Sequence, residues 1–283
     1  MFFYEFLLFV SIIVLSSISL SGYGAVLANY NKINILEEFF FGFLLISLIV
    51  TLFHFFFKIN FIVIFFIFLL GITIFFLKKR FQLILYTPNK KIYFILLILI
   101  PIFISQKYHE DFGYYHLPHI INLYNEKIIF GLANSNIAFI HNSVWLNILN
   151  LFYSKNLNFV TMPTFLLYAF FIIFSVNEIL KNNKYKKLSI YFLIICILYI
   201  ILKFTRISEF GNDIPSLIFA ILSIYNFFKF DETIDSEEKK FIFFSNLSFT
   251  IFAILIKFSC IPLLILSFYL FIKNYRLLSH QIF

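Results

Sequence analysis

A few ionisable side chains stand where long apolar runs of this chain break off. Glu110 and Asp111 follow the run 92–105; Arg206 and Asp213 flank a short polar break; Lys257 ends the run 241–257. Charged groups at the edge of hydrocarbon are costly to hold and usually have a task. The types present suit one kind of task. A carboxylate can take the proton from an attacking hydroxyl. A second carboxylate can orient the acceptor or share a divalent cation. A lysine or arginine can hold a phosphate as counter-charge. Acids and bases at one depth and on one side of a membrane are what a site for an anionic substrate needs. Each residue also has a plainer reading. Asp213 precedes Ile214 and Pro215 and suits a helix N-cap. Lys257 can snorkel. His109, His116 and His119 form an alternative metal set, because His116 and His119 are three apart on a helix. Tyr114, Tyr115 and Trp145 suit a membrane-interface belt.

The elements that must position these residues follow from composition. Of 283 residues, 62% are hydrophobic and 13% charged, and the mean hydropathy is +0.96. No soluble core hides that much apolar surface, so the chain reads as an all-α polytopic membrane protein. The 46 Phe, with abundant Ile, Asn and Lys, fit an AT-rich coding bias and lipid contact. The net charge of +8 comes from lysines and arginines gathered in loops, without the basic, interleaved patch of a nucleic-acid binder. Cys196 and Cys260 are far apart and read as small hydrophobes. The N-terminus lacks a basic region and reads as a retained helix rather than a cleaved signal.

Apolar runs suited to a bilayer core of about 30 Å fall near 6–28, 39–57, 59–77, 158–176, 188–204, 214–230 and 241–257, with shorter ones near 92–105 and 260–272. That gives nine expected crossings. Lys78, Lys79, Arg80, Lys90 and Lys91, and again Lys181, Lys184, Lys186 and Lys187, mark cytoplasmic loops. The stretch 106–157 then faces outward, as do 205–213 and the break at Lys257. Within the outer loop, Ile137, Ile140, Val144, Trp145, Ile148, Leu151 and Phe152 recur at helical spacing, opposite His141, Asn142, Ser143, Asn147 and Asn150. This predicts an amphipathic surface helix over 137–153, with Trp145 at headgroup depth. A second surface helix is expected over 114–125, starting near Pro118. The run Asp231–Lys240 is expected to be a solvated turn. The organisation reads as N-terminal membrane helices over 1–91 and a membrane core over 92–283.

In its order and sidedness this pattern resembles the GT-C superfamily, the multispanning glycosyltransferases that use polyprenyl-phosphate-linked sugars, among them the dolichyl-phosphate-mannose and aminoarabinose transferases. Such proteins carry an acidic motif at the start of the first large outer loop, matched here by Glu110 and Asp111 and continued by Tyr114, Tyr115, His116 and Pro118. A second acid opening a later helix is matched by Asp213-Ile214-Pro215, and an apolar run ending in lysine by Ile251–Lys257. The resemblance covers roughly residues 92–272. Three spans precede the acidic loop, where many relatives have one, and the chain stops at Phe283, soon after the lysine hairpin.

What the resemblance implies is sugar transfer from a polyprenyl-phosphate donor to a lipid-linked or cell-surface glycan on the outer side of the bacterial inner membrane. Asp111 would be the general base and Glu110 would orient it. Asp213 would help to place the acceptor, Lys257 and Arg206 would hold the leaving phosphate, and His116 and Tyr115 would line the pocket. The one candidate cofactor is a divalent cation, with Asp111, Asp213 and His116 as candidate ligands. Two other classes are open to the sequence: a transporter or flippase of a lipid-linked saccharide, and a non-catalytic membrane subunit or gene fragment. Transporters tend to place charges near mid-membrane in repeated halves; here the charges lie at one surface and no repeat is visible.

Overall fold

The computed structural model describes residues 2–27, 35–78, 94–104, 112–134, 139, 143–153, 159–181, 187–207 and 210–275. Among these the chain is all-helical. The helices are α1 (Phe2–Leu27), α2 (Ile35–Phe56), α3 (Phe61–Leu77), α4 (Phe94–Ile104), α5 (Leu117–Asn125), α6 (Val144–Asn150), α7 (Met162–Lys181), α8 (Leu188–Leu202), α9 (Asp213–Glu232), α10 (Ser236–Ile256) and α11 (Leu264–Lys273). In hydrocarbon every backbone N–H and C=O must find its partner within the segment, and these apolar runs meet that demand as helices. Five are long and apolar enough to cross a membrane: 6–27, 35–56, 162–181, 213–232 and 236–256. Residues 61–77, 94–104, 188–202 and 258–273 form shorter apolar helices. A helix thus occupies each run picked out by composition, and five of the nine have the length for an unaided crossing.

Caps set several boundaries. Asn60 accepts from the Val63 amide at 3.2 Å and starts α3. Ser143 accepts from the Trp145 amide at 3.1 Å and starts α6. Asp235 accepts from the Glu237 amide at 3.1 Å, with Glu237 and Glu238 in the first turn, where their charge complements the helix dipole. The polar run 231–240 is therefore two helix ends and a three-residue turn, 233–235, rather than one long turn.

The chain divides into two compact units, residues 1–170 with 207–210, and residues 171–206 with 211–283. In the first, α1 packs on α2 and α3. The backbones approach across glycines: Gly24 faces the Glu38 backbone, Gly42 the Leu20 backbone, and Gly22 the Gly71 carbonyl. Without a hydrophobic force between helices in lipid, such close approach supplies the packing. The Tyr23 hydroxyl adds a bond to the Ile67 carbonyl, 2.7 Å away. Gly24→Leu should cost about 1–3 kcal/mol, because the obstacle is backbone and cannot swing aside. A lower melting temperature in detergent checks this; Gly113→Ala, with open space around its new Cβ, should leave the melt unchanged.

Two expectations for the stretch 106–157 need correction. Of the helix predicted over 137–153, the described residues show Val144–Asn150, with turns at 151 and 152; residues 137, 138 and 140–142 lie outside the described residues. Its polar face does not meet water. Trp145 and Asn150 are fully buried and Asn147 nearly so, because α6 packs on both α2 and α5. Trp145 is buried in the protein against Phe43, with ring centroids 5.4 Å apart. Within the stretch 114–125, a helix forms at 117–125, with a proline in its first turn.

In the second unit, α9 packs on α8, α10 and α11. A closed ring of hydrogen bonds joins α9, α10 and α11. The Asn246 amide donates to the Ser223 hydroxyl at 3.1 Å, and Ser267 donates to the Asn246 carbonyl oxygen at 2.7 Å. Thr250 completes the circuit, 2.6 Å from Ser223 and 3.2 Å from Ser267. All four side chains are buried. Nearer the helix ends, Tyr225 donates to Glu178 at 2.9 Å, and the Ser189 amide and hydroxyl both donate to Glu232.

Candidate functional site

Three chain breaks of the second unit bring charge together. After α8 ends at Lys203, a single 3-10 turn, Phe204–Arg206, carries the guanidinium. The next helix starts at Asp213. After α10, Lys257 takes an extended conformation (φ −147°, ψ 117°) before the 3-10 segment Phe258–Leu263. The Lys257 ammonium donates to Asp213 Oδ1 at 2.5 Å, and Arg206 Nη1 donates to Asp213 Oδ2 at 3.4 Å. The side chains are 44%, 50% and 43% exposed for Lys257, Asp213 and Arg206.

Such exposed pairs contribute about 0–1 kcal/mol each to stability, so the cluster is a weak staple. Its electrostatic character is more telling. Two cations share one carboxylate, and all three side chains are about half exposed. Asp213 is the first residue of α9, and Asn212, not Asp213, occupies the cap position, without a capping side-chain bond. The N-cap reading of Asp213 therefore gives way: its carboxylate serves the two cations instead. Both of its oxygens accept from them.

His116 and Tyr115 belong to the first unit. They lie in the π-helical turn Phe112–His116, which runs directly into α5. The turn is held by Phe112, which stacks on Phe210 with centroids 3.6 Å apart. His116 is buried, its ring centroid 4.1 Å from that of Tyr115, which is half-buried. One turn later His119 is buried too. Burial, with His116 and His54 nearby, pushes its pKa down to about 4, so its imidazole is uncharged at neutral pH. Among the described residues no three His, Cys, Asp or Glu side chains could hold a metal ion. Glu110, Asp111 and His109 lie outside the described residues.

Of the site residues picked out by sequence, the structure thus brings Asp213, Lys257 and Arg206 together, and Tyr115 with His116. It also holds polar groups that the sequence reading passed over. His54 sits in a run of Thr, Leu and Phe near the end of α2, where no periodicity marks it. Asn150 and Trp145, expected on a surface helix, are buried in the protein.

A family model described as a domain of unknown function, DUF8201, matches residues 5–283. No curated protein and no solved structure matches the chain.

Proposed function

We propose that this chain, which belongs to the DUF8201 family of domains of unknown function, is a membrane glycosyltransferase that uses a polyprenyl-phosphate-linked sugar. The observation that carries the reading is the convergence of Lys257 and Arg206 on one carboxylate at the ends of apolar helices. A cationic pair in that position suits a phosphate whose lipid tail stays in hydrocarbon and whose sugar stays in water. The acceptor is a lipid-linked or cell-surface glycan on the outer side of the bacterial inner membrane, and the four shorter apolar helices complete nine crossings.

In the proposed reaction an acceptor hydroxyl oxygen attacks the anomeric carbon and the bond from that carbon to the phosphate oxygen breaks. The electron pair leaves with the phosphate. The hydroxyl proton passes to Asp111, which Glu110 orients, and the single displacement inverts the anomeric centre. Charge on the departing phosphate grows in the transition state, where Lys257 and Arg206 meet it. Asp213 keeps both cations in place until donor arrives and then helps to position the acceptor. His116 and Tyr115 line the sugar-facing side.

Arg206 is the cleaner test of donor recognition, because its bond to Asp213 is the longer of the two and its loss leaves Lys257 paired. Arg206→Ala should raise the half-saturating concentration of a polyprenyl-phosphate sugar by about tenfold, the equivalent of one charge-assisted contact, with an unchanged melting temperature. Wild-type donor affinity in the variant, measured on protein in nanodiscs, would remove Arg206 from the site.

A further inference from the structure

In the first unit, the segment that leaves α5 is tied to the last turn of α2. The Ile128 amide donates to the His54 carbonyl at 3.1 Å, and the ring nitrogen Nε2 of His54 lies 3.0 Å from the Glu126 carbonyl. Beyond this double tie the chain turns at Gly131, whose φ of +77° suits glycine. The Asn134 amide closes the turn on the Gly131 carbonyl at 2.8 Å. Phe130 stands at the tip, 82% exposed, beside an exposed Ile129. Its ring meets Phe55, with centroids 6.3 Å apart. Phe55, Phe56 and Phe57 are exposed as well. One apolar strip therefore continues from the end of α2 onto a turn that belongs to no spanning helix.

Helix α2 sets the depth of this strip. Residues 35–56 are long and apolar enough to cross a membrane, and the exposed surface stays apolar through Phe57. Lys58 follows at once and is exposed. Hydrocarbon thus reaches the final turn of α2, and headgroups begin near Lys58. Contact with Phe55 puts the Phe130 ring at that same level. On the other side of the tip, Glu126 and Lys127 are exposed. An apolar tip edged by lysines, whose ammonium groups can snorkel to lipid phosphates, is the pattern of a segment set into a membrane surface. A contiguous exposed apolar patch calls for an apolar cover. Here the strip is continuous with a face of α2 that lipid already covers, so lipid is the occupant it fits.

We infer that Ile129 and Phe130 form a membrane wedge: the tip inserts among phospholipid acyl chains in the leaflet that receives the end of α2, with Lys58 and Lys127 at the headgroups. The wedge holds the exit of α5 at the lipid boundary. It does not rest on the transferase reading.

A bimane label on Phe130→Cys, in a Cys196→Ala, Cys260→Ala background, reads the surroundings of the tip directly. Full-length protein is placed in phosphatidylcholine nanodiscs, part of whose lipid carries a nitroxide high on the acyl chain. Expected is quenching by the nitroxide lipid together with shielding from aqueous iodide. Phe66→Cys, exposed on α3, supplies the lipid reference. Ile234→Cys, 97% exposed in the turn 233–235, supplies the water reference. Ile129→Cys repeats the measurement at the second tip position, so that a label which perturbs one site does not decide the result. Iodide quenching at both tip positions, at the level of Ile234→Cys, would place the tip in water and overturn the inference. Protection from both quenchers would overturn it too, because protein, such as a second copy of this chain, would then cover the strip in place of lipid.

Discussion

Asp111→Asn should abolish sugar transfer while leaving insertion and folding intact. The substitution keeps size and hydrogen-bonding shape but removes the ability to accept a proton. Positioned general bases contribute about 10²–10⁴-fold to rate, so residual transfer at the lower end of that range below wild type is the most the variant should show. The measurement is label transfer from a polyprenyl-phosphate sugar to membrane acceptor, with quantified protein in the bilayer. Glu110→Gln supplies the contrast. A residue that only orients the base should cost about tenfold or less, on the scale of one hydrogen bond. Unimpaired transfer by Asp111→Asn would take the general-base role away from this residue.

The second large effect concerns Lys257. Removal of one preorganised charge from a developing anion costs about 10²–10³ in rate. Lys257→Ala should therefore lose transfer by that factor and weaken donor binding as well. Folding should change little, since the exposed pair with Asp213 contributes about 0–1 kcal/mol. Lys257→Arg should recover part of the donor affinity, because charge is restored on a different geometry. Asp213→Asn makes the complementary case. It frees both cations, so donor should bind at least as tightly while acceptor turnover falls. A Lys257→Ala protein with wild-type donor affinity and rate would refute a phosphate role. A strongly lowered melting temperature would recast the residue as structural.

The helices were readable because membrane burial writes itself along the chain. The runs at 39–57 and 214–230, for example, became α2 and α9 within a few residues. The charged cluster was readable as well, since Arg206, Asp213 and Lys257 interrupt apolar sequence at helix ends. What failed was the assignment of faces. Trp145 and the asparagines of α6 follow an amphipathic pattern, and periodicity alone cannot say whether a polar face meets water or another helix. Here α2 and α5 cover it. For Asp213 the plainer N-cap alternative gives way, because Lys257, 44 positions further on, takes the same carboxylate. His54 left no trace, being one imidazole among phenylalanines. Glu110 and Asp111 stand on sequence alone.

The hydroxyl and amide circuit among Ser223, Asn246, Thr250 and Ser267 runs in one rotational sense, every member giving one proton and receiving another. Its last contributor belongs to the short apolar stretch 258–273, so the circuit ties a segment shorter than its neighbours to two full-length helices; removal of the Ser267 hydroxyl should leave Asn246 and Thr250 each short of one partner.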